Sequence, residues 1–199
     1  MNIGVVILAA GGSSRMGGQP KQLIEVEGKT LLRRVVDAAL DTDLRPVVVV
    51  VGANKDRLTP ELHGLPITLI DNPFWQQGLS SSVKTGLAGL YLTQRSFDAV
   101  LFLLTDQPFV SSGLLKQMVH VFNETGKPLV ACRYDGHLGV PALLSRDFVQ
   151  ELLALEGDRG ARWLIEQNRE RCAVVEFEAG RIDLDTPDDV RAFRAHRPG

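Results

Sequence analysis

Two cysteines, Cys132 and Cys172, are all that the 199 residues contain. They sit in apolar or mixed strand-like runs without CxxC spacing, so neither a disulfide scaffold nor a zinc site is expected. A basic excess is missing as well. With 22 Lys and Arg against 24 Asp and Glu, there is no surplus charge to displace counterions from a nucleic-acid backbone. No apolar run is long enough for a membrane span. The start, MNIGVVILAAGG, lacks the basic head of a secretory signal. The expectation is a cytoplasmic protein with neither nucleic acid nor membrane as a partner. Repeats, low-complexity tracts and linkers are absent too, so residues 1–199 read as one domain.

What is present is a regular alternation. IGVVILAA, PVVVVV, ITLID, FDAVLFLLT, PLVACRY and CAVVEFE are short runs rich in Val, Ile and Leu. Several are apolar without alternation, as in strands buried on both faces. Between them, TLLRRVVDAALDT, SSVKTGLAGLYLTQ, SGLLKQMVHVFNETG, RDFVQELLALEG and ARWLIEQNRER repeat apolar residues at three and four, the mark of a helix face. This pattern predicts a single-domain, Rossmann-like, doubly wound α/β fold with a mainly parallel sheet. Ligands of such sheets bind beyond the carboxyl ends of the strands. That singles out the loops after Ala9, Gly52, Ile70, Leu104 and Leu184.

The first of these loops, GGSSRMGGQPK, combines glycines, hydroxyls and cations. Gly11 and Gly12 admit a ligand close to the backbone N–H groups, Ser13 and Ser14 add hydroxyls, and Arg15 and Lys21 add charge, a cradle suited to an anion. It is not a P-loop: Gly12 and Gly17 have the spacing, but Gly18 and Gln19 follow where GK[ST] would continue. The dinucleotide fingerprint GxGxxG is also missing.

Carboxylates gather at two other places. Asp106 follows a strong apolar strand, with Pro108 ending any further ladder. It starts a turn, or it faces a pocket or metal. Ser111 and Ser112 are better placed to cap the next helix. In IDLDTPDDV, Thr186 as N-cap, Pro187 at the first helical position and Asp189 three residues after the cap form a helix start. Asp185 is then free to project, while Asp183 should alternate away if a strand runs through both. Asp106 and Asp185 together make a hard-ligand pair for Mg²⁺. Ser80, Ser81 and Ser82 open another helix, after Asn72 and Gly78. Trp75 in the same loop is either a packing anchor or a substrate platform.

The stretch from Leu8 to Met16, with Lys21 six residues after Arg15, resembles the signature of nucleotidyltransferases that act on sugar phosphates, isoprenoid precursors and the molybdenum cofactor. NPFWQQGLSSSV at 72–83, LTDQPFV at 104–110, and GVPALL with GDRGARWL at 139–144 and 157–164 narrow the likeness. They resemble the molybdenum cofactor cytidylyltransferase branch of the MobA-like NTP transferase family. The resemblance implies the nucleotide-diphospho-sugar transferase type of fold. It also implies transfer of CMP from CTP to the terminal phosphate of the molybdopterin cofactor, with Mg²⁺ and release of pyrophosphate, for a molybdoenzyme that receives the product. By the same resemblance, Leu8, Ala9, Ala10, Gly11, Gly12 and Ser13 hold the nucleotide with Asn72, Ser80, Ser81 and Ser82. Arg15 and Lys21 grip the triphosphate, Asp106 acts in catalysis and binds metal with Asp185, and Gly139, Pro141, Asp158 and Arg162 face the acceptor. A guanylyltransferase on the same cofactor, or a non-catalytic holder of nucleotide or cofactor, are the alternatives. The methyl of Ala10, where guanylyl-transferring relatives carry glycine, favours a pyrimidine. One departure stands out: the branch's G-H-P reads Gly139-Val140-Pro141 here.

Overall fold

The computed structural model of the chain describes residues 1–94 and 96–196, with side chains through Phe193. Its nine strands, among the described residues, are β1 (Ile3–Leu8), β2 (Glu25–Val26), β3 (Lys29–Thr30), β4 (Val47–Val51), β5 (Thr68–Asp71), β6 (Ala99–Leu104), β7 (Leu129–Tyr134), β8 (His137–Ser145) and β9 (Cys172–Glu176). The α-helices are α1 (Leu31–Leu40), α2 (Lys55–Leu58), α3 (Leu79–Thr93), α4 (Ser112–Thr125), α5 (Val149–Leu153), α6 (Ala161–Gln167) and α7 (Pro187–His196). Seven strands form one sheet in the order β5-β4-β1-β6-β8-β7-β9, and β2 with β3 forms a small separate ribbon. No described helix is long and apolar enough to cross a membrane.

The sheet is parallel except for β8, which runs antiparallel to both β6 and β7. Every residue of β1 and β4 is buried, because helices cover both faces. Val5 and Ile7 join a core with α1 and α4, while Val6 and Leu8 join a second core with α3, α5 and α6. Each fully buried Val or Leu contributes about 1.5–3 kcal/mol relative to exposure, so these two cores hold the strand ends in place. Gly86 lets α3 lie close on β1, since a Cβ there would fall 2.3 Å from Val6.

All six strand-like runs form strands. The seventh strand of the large sheet, β8, was not expected, and Pro141 inside it is the reason. Ala131 pairs with Ala142 and Cys132 with Gly139, so Val140 and Pro141 sit in a bulge, where a residue without an N–H is tolerated. The Leu184 segment also differs from expectation. It is not a strand: after β9 the chain makes a short 3₁₀ turn and runs irregularly to α7.

Candidate active site

The carboxyl ends of β1 and β6 open into a cleft of about 570 Å³. The first loop forms its floor. Ala9 donates to Val50 O at 2.8 Å, and Ala10 O accepts from Ala53 N–H at 3.1 Å, so the backbone stays on the sheet before it breaks away. Ser13 then takes a left-handed conformation (φ 52°). Its hydroxyl accepts from Lys21 N–H at 3.0 Å and donates to Gln22 Oε1 at 3.1 Å. Gln22 is buried, and its Nε2 donates to Ala9 O at 3.0 Å and Gly11 O at 3.1 Å. This glutamine ties the two ends of the loop together. The sequence reading overlooked it; its signal was a polar residue wedged between Lys21 and the apolar Leu23 and Ile24.

The charges converge at one point. Lys21 Nζ lies 2.6 Å from Asp106 Oδ2 and 2.6 Å from Asp185 Oδ1, and Arg15 NH1 lies 2.6 Å from Asp185 Oδ2. Burial by itself would lower the Lys21 pKa, but Asp106 and Asp185 outweigh it and hold the ammonium above its ordinary value. Asp106 is only 9% exposed, and its Oδ1 has no hydrogen-bond partner. A buried, unpaired carboxylate oxygen is costly unless something else meets it.

Asp183 was expected to point away from Asp185, and here the structure corrects the reading. Carboxylate oxygens of Asp106, Asp183 and Asp185 all lie within 4.8 Å of one another. The alternation argument fails because the segment is not a strand. Instead Leu184 N–H donates to Asp106 O at 3.1 Å, which buries Leu184 and turns both flanking aspartates toward Asp106. Removal from water, with Asp106 and Asp185 close by, pushes the Asp183 carboxyl above the usual carboxylate range. The segment is braced by the helix start read from the sequence: Asp189 Oδ2 accepts from Thr186 N–H at 2.7 Å, and Asp189 N–H donates to Thr186 Oγ1 at 3.2 Å. Three carboxylates with an unpaired oxygen among them form a donor set suited to a hard divalent ion.

Leu8, Ala10, Gly11, Gly12, Ser13 and Ser82 line the same cleft. Asn72, Ser80 and Ser81 do not. Asn72 is fully buried and donates to Ser81 Oγ at 2.9 Å and Ser82 Oγ at 3.0 Å, pinning the first turn of α3. The first amides of α3 are also engaged: Ser80 N–H donates to Gly157 O at 3.0 Å and Ser81 N–H to Gly78 O at 3.2 Å. Ser80 and Ser81 face a separate shallow groove beside Lys84. Trp75 is a packing anchor, set against the core that holds α3. It walls the cleft, and its ring covers Gly12, where a Cβ would come within 3.0 Å.

A second lobe of about 480 Å³ opens on the β8 side, sharing Leu8, Leu79, Leu104, Asp106 and Asp158 with the first. Asp158 and Arg162 line it, and so does Val140. Arg159 lies 5.3 Å above the Trp163 ring. Gly139 and Pro141 are buried behind this wall. A Cβ on Gly139 would stand 2.3 Å from the Tyr134 hydroxyl, which donates to Val140 O at 3.0 Å. These two residues shape the lobe from behind and do not face it. Asp106 thus lies at the seam of the whole site, with a lobe of mixed charge carrying Arg15 and Lys21 on one side and a mostly apolar, arginine-rimmed lobe on the other.

A doubly wound sheet with a glycine-rich, cation-bearing first loop and carboxylates at the seam of two lobes is the arrangement of a nucleotidyltransferase. The chain belongs to the MobA-like NTP transferase family, whose domain it matches over residues 5–172. Over 93% of its own length and 93% of the other's, it is 28% identical to nicotine blue oxidoreductase of Paenarthrobacter nicotinovorans. Among solved structures, it is similar to the homologue of Mycobacterium tuberculosis Rv0371c from Mycobacterium sp. strain JC1. That likeness has a TM-score of 0.79 at 30% identity, covering 98% of this chain and 96% of that one. It is also similar to the manganese complex of Rv0371c from Mycobacterium tuberculosis H37Rv, with a TM-score of 0.75 at 26% identity over 96% and 97% of the two chains.

Proposed function

We propose that the chain transfers CMP from CTP to the terminal phosphate of the molybdopterin cofactor, with Mg²⁺, and supplies the product to a molybdoenzyme in the cytoplasm. The observation that carries this reading is the convergence of Arg15, Lys21, Asp106 and Asp185 at the junction of two lobes. A manganese complex of a structural relative supports a divalent ion in such a site. An acceptor phosphate oxygen attacks the α-phosphorus of CTP, the bond from that phosphorus to the β-bridging oxygen breaks, and pyrophosphate leaves. The nucleophile is already an anion, so no general base is needed. The difficulty is repulsion between two polyanions, which cations and fixed donors relieve.

Asp106 and Asp185 are the residues that would hold Mg²⁺, with Asp183 beside them; the ion supplies charge neutralisation at the reacting phosphates. Arg15 and Lys21 grip the β- and γ-phosphates and stabilise the leaving group. The backbone from Leu8 to Gly12 and the hydroxyl of Ser82 meet the base. Ala10 lines the cleft, and its methyl, where guanylyl-transferring relatives carry glycine, favours a pyrimidine. Asp158 and Arg162 face the acceptor in the second lobe.

The test is pyrophosphate release by the purified protein with Mg²⁺, molybdenum cofactor, and CTP or GTP in parallel. Release with CTP is expected. Release with GTP alone would overturn the base assignment, and CTP binding without release with either would leave a holder of nucleotide or cofactor. A second variant separates the lobes. Val140→Phe fills the acceptor lobe, so it should raise the KM for the acceptor on the order of tenfold or more while CTP affinity changes less than about twofold, since overpacking acts locally. Equal loss of both would mean that Val140 does not border an independent acceptor lobe.

A further inference from the structure

The cations that grip the triphosphate in the proposed reaction are, without ligand, bound to the very carboxylates proposed for the metal. Lys21 Nζ bridges Asp106 and Asp185 at 2.6 Å each, and Arg15 holds the other oxygen of Asp185. The Lys21 side chain is 18% exposed, so little water competes for these contacts. Two of its three N–H groups are thereby taken by carboxylates, so at most one is left for a polyphosphate oxygen.

We propose that Lys21 is the resident counter-ion of the divalent-metal site, occupying its charge in the free protein and leaving it when a triphosphate arrives. This inference rests on the proposed nucleotidyl transfer and adds a coupling to it. A divalent ion entering the free protein meets a fixed positive charge within a few ångströms. That lowers its affinity, because like charges in a partly buried site are weakly screened. A triphosphate offers Lys21 and Arg15 new oxygens, and a rotation of their side chains frees Asp106 Oδ2 and both oxygens of Asp185. Together with the unpaired Asp106 Oδ1 and the neighbouring Asp183, the full donor set then faces the ion. Nucleotide therefore raises metal affinity beyond its own chelation, and linkage requires the metal to raise nucleotide affinity in return. The free chain therefore holds a divalent ion less tightly than the chain with nucleotide bound.

The probe is Mn²⁺ alone, titrated into nucleotide-free protein and followed by the electron paramagnetic resonance of the free ion. Lys21→Met keeps the length of the side chain and removes its charge. It should bind Mn²⁺ on the order of tenfold more tightly than the unaltered protein, the scale expected for one like charge removed from such a site after screening. Arg15→Gln alters a side chain that is 72% exposed, so its fold is not at risk; it should tighten Mn²⁺ by about threefold, as suits a more screened charge. Binding no tighter in either variant would overturn the proposal. The companion variant Asp106→Asn separates the two readings. If it weakens Mn²⁺ binding while Lys21→Met leaves affinity unchanged, the metal site stands and the counter-ion role falls. If it leaves Mn²⁺ binding unchanged, the metal assignment falls and takes this inference with it.

Discussion

Asp106→Asn should yield a folded protein whose Mg²⁺-dependent pyrophosphate release is lower by about 10²–10³-fold, the range seen when one electrostatic stabiliser of a transition state is removed. The substitution preserves shape, so the backbone bond from Leu184 N–H to Asp106 O should survive. What changes is charge. Lys21 loses one of its two carboxylate partners, and the buried Oδ1 that has no partner in the free protein becomes one end of a neutral amide. An amide can coordinate a hard cation through its oxygen alone and without a negative charge. Turnover should fall with little recovery at high Mg²⁺, because a neutral amide restores neither the lost charge nor the second ligand oxygen. Steady-state release of pyrophosphate, with thermal unfolding as a check on the fold, decides the matter. Near-normal turnover at ordinary Mg²⁺ would remove Asp106 from the site.

Gly78→Ala should lower stability by about 3 kcal/mol or more, combining a backbone conformation closed to other residues with a direct clash. Gly78 has φ 96° and ψ −179°, a region essentially confined to glycine. A Cβ there would lie 2.4 Å from Gly157 O and 2.7 Å from Asp158 Oδ1. The first contact is with backbone and cannot be relieved by a rotamer change. Gly157 O also accepts from Ser80 N–H, so any shift pulls the start of α3 away from the loop that carries Asp158 and disturbs both lobes. Gly17→Ala is the control. Its φ is 61°, but a Cβ would meet nothing within 4 Å, so the cost should be the conformational part alone, about 1 kcal/mol. Urea unfolding of the two variants would show the difference; equal losses would mean that the approach to Gly157 relaxes freely.

The layered fold was legible because its strands are apolar on both faces and its helices are not. Val47 to Val51 can hardly be anything but a covered central strand. The hairpin of β7 and β8 was hidden by Pro141, although Asp135-Gly136, both at positive φ, is a two-residue turn of the kind that joins antiparallel strands. In the site, the residues that announce themselves by type were found: Arg15, Lys21, Asp106 and the capping pair Thr186 and Asp189. What escaped depends on the path of the chain between elements. Asp183 was set aside on a strand periodicity that the segment does not have. Gln22 acts through hydrogen bonds to carbonyls, and side-chain type does not reveal those. Ser80 and Ser81 show the converse. A run of three hydroxyls suggested a ligand, yet only Ser82 lines the cleft, because a helix turns about 100° per residue; Ser80 is tied to Gly157, and Ser81 to Asn72 and Gly78.

The bond between Leu184 and Asp106 also bears on where the charge of the site comes from. The large sheet ends at Glu176, and Asp183 and Asp185 lie beyond it, on the irregular stretch before α7. The sheet ends alone would set a single one of the three carboxylates, Asp106, against Arg15 and Lys21. The segment that brings in the other two lies beyond residue 172, where the family match ends. That irregular segment, and not the sheet, carries two of the three carboxylates to Asp106. The charge around Asp106 is thus set by a stretch of chain tied back to the end of β6 through the Leu184–Asp106 backbone bond.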